Sequence, residues 1–454
     1  MDSLTKPTPD PNGLTATAAA RALRAGEITC VDLVQACLER IDATEDEVRA
    51  WTFLDRDYAL AQAKAVDGAA RVGRPRGPLH GLPVGVKDII DTRDMPTENG
   101  TVLHAGRRPT ADATVVSLLR QAGAVILGKT VTTELAVYAP GKTRNPHNLE
   151  HTPGGSSSGS AAAVAAGMVP LSVGTQTNGS VIRPASFCGV YGYKPTAGLV
   201  SRHGVLSQSP PLDQIGFFAR SIEDLALVAE PLMAFDDRDP AMRPMARAAL
   251  TRTAGEAPPV TPHIGFARTP VWDQAEASTQ EAFAELVEAL GDDVEEVAMA
   301  EPFDKVVDWH RVIMEADLAK SFAEEYARGA DRLSAILREM IERGQHYLAV
   351  DYNRAVDWIR IVNAVLDEAF RWNDALLTPA TIGPAPASLD STGSPIFCTL
   401  WTYLGVPTVT LPLFHAENGM PFGAQLVGRR GDDARLLRTA RWLVDRVEAE
   451  ATAE

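Results

Sequence analysis

Pro153-Gly-Gly-Ser156-Ser-Ser-Gly-Ser160 opens the stretch that decides the fold. It runs into Ala161-Ala-Ala-Val-Ala-Ala-Gly167, and a second glycine-rich loop follows: Gly174-Thr-Gln-Thr-Asn-Gly-Ser180-Val-Ile-Arg183-Pro184-Ala185. Ser156 and Ser180 thus sit in similar surroundings twenty-four residues apart. The alanine-rich run predicts a close-packed helix whose N-terminus carries the first loop inward. Beyond the loops, helical segments alternate with short β-branched runs, which predicts an α/β layer fold.

Upstream, Gly77-Pro-Leu-His-Gly-Leu-Pro-Val-Gly-Val-Lys87-Asp88-Ile-Ile places a lysine in an apolar run. A serine needs a base to become a nucleophile, and a lysine serves only when its surroundings keep it neutral. Leu82, Val84, Val86, Ile89 and Ile90 predict burial, which disfavours the ammonium form. Taken alone, Lys87 reads equally as a surface lysine or a partner of Asp88. Asn178-Gly179-Ser180 can turn tightly enough to aim the N–H groups of Thr177, Asn178, Gly179 and Ser180 at one point, as an oxyanion requires. It can equally be a plain glycine turn. Gly154-Gly-Ser156-Ser-Ser-Gly159 reads as a capping loop, an anion nest or a surface turn.

The bulk properties narrow the class. The chain has 454 residues, 45% of them hydrophobic, and a formal charge of −16. A nucleic-acid partner would want a basic face, so none is expected. Cys30, Cys37, Cys188 and Cys398 form no metal-like spacing, and reduced thiols in a cytoplasm are expected. Met1 to Asp10 is polar and lacks a signal core, and no apolar stretch is long enough to span a bilayer.

Leu14 to Arg71 reads as helices, with Thr15 and Thr17 as caps. Leu82 to Ile90 and Ala124 to Leu127 read as strands, with Ala111 to Gly123 helical between them. Arg238 to Pro262, rich in proline, reads as a surface excursion. A strand at His263 to Ala267 precedes one helical block from about Ala275 to Arg371. Strand character returns at Ala375 to Pro379, Pro407 to Pro412 and Gly423 to Gly428, before a final helix from Asp432. No repeat or linker is visible, and one continuous fold is expected.

Gly123-Ala-Val-Ile-Leu-Gly128-Lys129-Thr130 matches the phosphate-loop pattern of nucleotide hydrolases letter for letter. That chemistry needs a flexible loop whose N–H groups curl around phosphate. Ala, Val, Ile and Leu at the variable positions predict a strand instead, so the match is set aside.

Lys87, the two serine loops and a set of further landmarks resemble the amidase signature family. The landmarks are Gly77-Pro-Leu-His-Gly-Leu-Pro83, Asp94-Met-Pro-Thr97, Arg144-Asn-Pro146, Phe187-Cys-Gly189, Gly192-Tyr-Lys-Pro-Thr196, Thr378-Pro379, Pro407 and Gly423-Ala-Gln-Leu-Val-Gly428. The resemblance implies a single α/β/α layered domain over residues 1–454, with a central mixed, mostly parallel sheet of about eleven strands covered by helices on both faces. Within it, residues 1–75 would be N-terminal helices, 76–235 the catalytic core, 236–370 a variable, mostly helical pocket region and 371–454 the return of the core. It implies Ser180 as nucleophile, Ser156 as a relay preceded by a cis peptide bond, Lys87 as base, and the N–H groups of residues 177–180 as oxyanion hole.

The implied activity is hydrolysis of small amides, anilides, carbamates or urethanes through an acyl-enzyme, with ester cleavage as a side activity. No cofactor, metal or membrane is expected, and the chain is expected to act as a monomer or homodimer. The family also holds a subunit of tRNA-dependent amidotransferases, which needs a partner; the acidic balance, Gln176 and Arg183 fit it poorly. A catalytically dead scaffold is a third reading, against which the complete triad speaks. The sequence departs from the common pattern twice: Asn178 replaces the first of two glycines, and Arg183 lies three residues after Ser180 rather than two. That spacing, with Leu400-Trp-Thr402, resembles the malonamidase branch, where such an arginine holds a substrate carboxylate. Arg183 and Gln176 are therefore candidate substrate-binding residues, with loop-bracing as the alternative for Arg183.

Overall fold

The chain's computed structural model describes residues 11–73, 77–299 and 301–451. The polar N-terminal decapeptide and the expected boundary at residues 75 and 76 lie outside them. Eleven strands form one sheet: β1 (Trp51–Leu54), β2 (Pro83–Lys87), β3 (Val125–Thr130), β4 (Leu171–Gln176), β5 (Tyr191–Lys194), β6 (Gln214–Ala219), β7 (Ile264–Arg268), β8 (Val294–Ala298), β9 (Ala375–Pro379), β10 (Thr408–His415) and β11 (Pro421–Val427). Their order across the sheet is β1-β3-β2-β4-β6-β5-β10-β11-β9-β7-β8. Two groups, β1 to β6 and β7 to β9, are therefore joined only through β10 and β11, the last strands in the chain.

The sheet is mixed, as expected, but not mostly parallel. Six of the ten neighbouring pairs are antiparallel. Helical crossovers yield parallel pairs, whereas short returns yield antiparallel ones. β10 and β11 form such a return, whose turn places Gly419 at φ +78. β2 is parallel to both neighbours, β3 and β4, and all five of its residues are buried. A continuous apolar run is what a strand covered on both faces requires.

The helices follow in chain order: α1 (Ala16–Ala25), α2 (Cys30–Val48), α3 (Arg56–Arg71), α4 (Thr114–Gln121), α5 (Ser158–Ala165), α6 (Ile182–Phe187), α7 (Ile222–Ala229), α8 (Leu250–Ala254), α9 (Ala277–Leu290), α10 (Val306–Ser321), α11 (Ala323–Gly329), α12 (Ala335–Gly344), α13 (Ala349–Ala369), α14 (Ile396–Leu404) and α15 (Asp433–Ala451). Thr15 caps α1, as read, by accepting from Ala18 N. Thr17 lies inside α1 and donates to Asp224 on α7 instead. α5 is the small-residue helix, with Ala161, Ala162 and Ala163 fully buried.

Five strands have no range of their own in the sequence reading: β4, β5 and β6 lie inside the sheet, within the stretch read only as alternating helices and β-branched runs, and β1 and β8 lie at its edges. β1 interrupts the expected N-terminal helices, and β8 interrupts the block from Ala275 to Arg371. β8 reads Val-Glu-Glu-Val-Ala, and its glutamates are exposed, as suits an edge that must not pair further. The remaining helices of that block build a second core around Ile313, Leu318, Leu337 and Trp401. Trp309 and Trp358 stack there with ring centroids 4.8 Å apart. Val125 to Thr130, the phosphate-loop look-alike, is strand β3 with every residue buried, so it offers no cradle. Among the described residues no helix is long and apolar enough to cross a membrane.

Candidate active site

Lys87 is the last residue of β2 and is wholly buried. Its Nζ donates to Ser156 Oγ at 2.7 Å and to Thr175 Oγ1 at 2.9 Å. Asp88 does not pair with it. Its carboxylate turns to Lys129 Nζ, 3.5 Å away, and to the N–H of Glu98. Burial therefore pushes Lys87 well below the ordinary lysine value, opposed only in part by the more distant Asp213. A buried amine with hydroxyl partners and no carboxylate is stable as the free base.

The first loop is sewn into the sheet by its serines. Ser157 Oγ donates to Thr175 O, Ser158 Oγ to Gly154 O, and Ser160 Oγ pairs with Thr130 Oγ1. Gly154 has φ +80, and a side chain there would collide with Pro184. The Gly155–Ser156 peptide is cis. These contacts leave Ser156 facing Lys87, 1% exposed.

The second loop connects β4 to α6. Val181 and Ile182 both donate their N–H groups to Gln176 Oε1. Among the described residues, no acceptor takes the N–H groups of Thr177, Asn178, Gly179 or Ser180. Three of the loop's carbonyls are occupied: His310 Nε2 donates to Thr177 O, Thr402 Oγ1 to Asn178 O, and Arg183 N to Gly179 O. Gly179 must be glycine, because a Cβ would lie 2.9 Å from Pro395 at the start of α14. Ser180 itself is 7% exposed.

The two residues offered as substrate-binding candidates are both bonded within the protein. The Gln176 oxygen holds Val181 and Ile182, and its Nε2 donates to Thr402 Oγ1 at 2.8 Å. Arg183 takes up the loop-bracing contacts of the alternative reading. It is fully buried and donates to Gly393 O at 2.6 Å and Gly155 O at 2.7 Å, bracing the two serine loops against the segment before α14. Its position three residues after Ser180 puts it inside α6, facing the first loop rather than open space.

A cavity of about 250 Å³ ends at Asn178, with apolar walls from Val307, Met314, Ile336, Met340 and Ile396. Arg311 and Arg343 stand at its border; Arg343 is held by the buried carboxylate of Glu315 at 2.6 Å. A neighbouring cavity shares Tyr138, Ile336 and Pro395 and reaches Thr392, which packs against Gly155. The open space thus runs from the second serine loop toward the first. On the other side of Thr175 and Thr177 lies a separate cavity of about 190 Å³, bordered by Arg202 and Asp213.

Several residues at the site carry no signal in the local sequence. Asp213 accepts from Thr177 Oγ1 at 2.7 Å, and burial raises its carboxyl to about 6. Tyr138 Oη accepts from Asn178 Nδ2, and Thr399 Oγ1 donates to Asn178 Oδ1. His310, on α10, comes from the variable helical block, and burial lowers its imidazole to about 4. Thr399 and Thr402 are one turn apart on α14, the only hint that both face one target.

The amidase family model matches residues 32–437. A glutamyl-tRNA(Gln) amidotransferase subunit from Chloroflexus aggregans is 36% identical over 94% of both chains. The subunit of the same name from Rhodopirellula baltica is 33% identical over 92% of this chain and 93% of its own. Among solved structures, the native peptide amidase of Stenotrophomonas maltophilia superposes with a TM-score of 0.83 at 30% identity, covering 97% of this chain and 98% of its own. A protein from a vestigial complex, described as revealing the origins of an s-triazine catabolic enzyme, superposes at 0.89 with 28% identity, over 95% and 98% of the two chains. With a family match over most of its length, and a single mixed sheet shared with these enzymes, the chain belongs to the amidase signature family.

Proposed function

We propose that this chain cleaves C–N bonds of small amides and anilides through an acyl-enzyme on Ser180. The observation that carries the reading is a solvent-free Lys87, 2.7 Å from Ser156 Oγ and without a carboxylate partner among the described residues, beside a loop whose four N–H groups take no acceptor among them. In the reacting arrangement one N–H of the neutral amine stays on Thr175 Oγ1, and the Ser156 hydroxyl turns its own hydrogen to the amine's lone pair in place of the N–H it otherwise accepts. Lys87 takes the Ser156 proton, Ser156 takes that of Ser180, and Ser180 Oγ attacks the substrate carbonyl. The N–H groups of residues 177–180 stabilise the oxyanion. The relay returns a proton to the departing amine, and water then releases the acid. Carbamate, urethane and ester carbonyls fit the same steps, and the apolar cavity at Asn178 suits the acyl group. One sheet carrying strands from both ends of the chain supports a single domain.

The names of the curated relatives favour a second reading, in which the same chemistry releases ammonia within an amidotransferase. Gln176 and Arg183 do not speak against it, because both bond inside the protein. Purified chain alone, offered primary amides and p-nitroanilides, separates the two. Turnover without a partner supports the stand-alone hydrolase. Glutamine hydrolysis that appears only with co-purifying subunits supports the amidotransferase. In either case Ser180→Ala should lose all turnover and all labelling by a fluorophosphonate, and undiminished activity in that variant would falsify the mechanism.

A further inference from the structure

We propose that His310 and Thr402 are positioning residues that aim the oxyanion hole by gripping the back of its backbone. The inference rests on Ser180 being the nucleophile. In a planar trans peptide the C=O of one residue and the N–H of the next point in opposite directions within one plane, so fixing the oxygen aims the hydrogen. His310 Nε2 donates to Thr177 O at 3.0 Å, which aims the N–H of Asn178. Thr402 Oγ1 donates to Asn178 O, which aims the N–H of Gly179. Gln176 Nε2 donates to Thr402 Oγ1, so that hydroxyl's own hydrogen is directed at the Asn178 carbonyl. The third plane, which carries the Ser180 N–H, is held within the chain's own turn by Arg183 N on Gly179 O.

The two grips come from far away, 133 and 224 residues along the chain. His310 is 2% exposed and Thr402 is fully buried, so water does not compete for either carbonyl. The imidazole is neutral at working pH, and donation from Nε2 fixes its tautomer, leaving Nδ1 without a proton. The helices that supply the grips also line the acyl cavity: α10 gives Val307 and Met314, and α14 gives Ile396 and Thr399. Fit of the acyl group and alignment of the oxyanion donors are thereby set by the same two helices. Residues of this kind act through the loop, and their removal weakens what binds the transition state more than what binds the substrate.

The test compares Thr402→Val and His310→Ala with the conservative Thr402→Ser and His310→Gln, which keep a donor at the same place. Two quantities are read: kcat and KM on a p-nitroanilide that the wild type hydrolyses, and the second-order rate of labelling by a fluorophosphonate, whose phosphoryl oxygen occupies the oxyanion hole. Loss of a whole donor costs ~10²–10³-fold, so a misaimed one should cost about 10- to 100-fold in kcat and in labelling rate. KM should stay within about twofold, and the conservative variants should recover most of the loss. Thr402→Val is nearly isosteric, so it reads the same quantity if His310→Ala does not fold. Labelling and kcat unchanged in Thr402→Val, or a loss confined to KM, overturns the proposal. A wild type that takes no label on Ser180 overturns instead the nucleophile reading beneath it.

Discussion

Lys87 ends β2, and Lys129 lies beside it on β3, in register with Val86; solvent reaches neither side chain. Their partners differ. Lys129 Nζ donates to Ile90 O at 2.8 Å and Thr97 Oγ1 at 2.6 Å, with the Asp88 carboxylate 3.5 Å away. Lys87 has two hydroxyls and no carboxylate near at hand. Burial lowers both amines, but Asp88 holds Lys129 at about 8, while Lys87 falls much further. Burial alone does not make a lysine a base. Withholding the counter-charge frees the amine of its proton, as the proposed mechanism requires, and the fold achieves this by sending Asp88 to the neighbouring strand's lysine.

Exchanging each lysine tests that contrast most severely. Lys87→Met should lower kcat by at least the ~10²–10⁴-fold that general-base removal costs, and Lys87→Arg should be as inactive, because a guanidinium does not give up its proton. The same Lys87→Met chain should melt no lower than the wild type near pH 7. The sign follows from linkage. Unfolded Lys87 binds a proton up to the ordinary value of 10.5, whereas the folded amine releases it at a much lower pH. Between those two values the unfolded state holds more protons, so wild-type stability rises with pH. In Lys87→Met that contribution should vanish from a plot of melting temperature against pH, and an unchanged slope would show that Lys87 is not neutral.

Lys129→Met should do the reverse. It strands the buried Asp88 carboxylate, and breaking such a pair costs about 3–5 kcal/mol. Denaturant melts should show the loss, and adding Asp88→Leu should recover part of it. Comparable melting of Lys129→Met and wild type would remove the contrast drawn here.

The smallest effect concerns the residual charge that Lys87 feels. Asp213 raises its affinity for protons a little, through space. Under the proposed mechanism, kcat/KM climbs as pH rises through the Lys87 value and then levels. Asp213→Asn keeps an acceptor for Thr177 Oγ1 but removes the charge that the carboxyl carries above about pH 6, so a limb lying above that pH should move to lower pH by about 1 unit or less, a shift worth ~1.4 kcal/mol at most. A limb displaced upward would mean that Asp213 acts other than by its charge.

Much of this was legible along the chain. The apolar run around Lys87 announces β2 because a strand buried on both faces tolerates few polar residues. The two glycine-rich loops announce themselves through their spacing and through the alanine run that becomes α5. What was not legible came from distance or from exposure. His310, Tyr138, Thr399 and Asp213 meet the second loop only after the sheet and the helical layer have formed, and nothing beside them in sequence marks the meeting. β1 and β8 escaped because edge strands are short and mixed in polarity, which erases the pattern a buried strand shows. Spacing alone left Arg183 between two roles: a residue inside a helix start faces where the helix faces, and here that is the cis-peptide loop.

The joining of the sheet by β10 and β11 has a consequence for synthesis. On the ribosome β5 is complete at Lys194 and β9 at Pro379, yet β10, the strand that pairs with β5, begins only at Thr408. At ~5–20 residues per second, the edge of β5 waits on the order of ten to forty seconds for its partner. Unpaired sheet edges invite pairing with other chains. The emerging polypeptide thus passes through a period in which two half-sheets stand open, and α14, which brings Thr402 to the second serine loop, emerges just before the strands that close them. Assembly of the proposed site and protection from aggregation arrive together, with the stretch from α14 to β11.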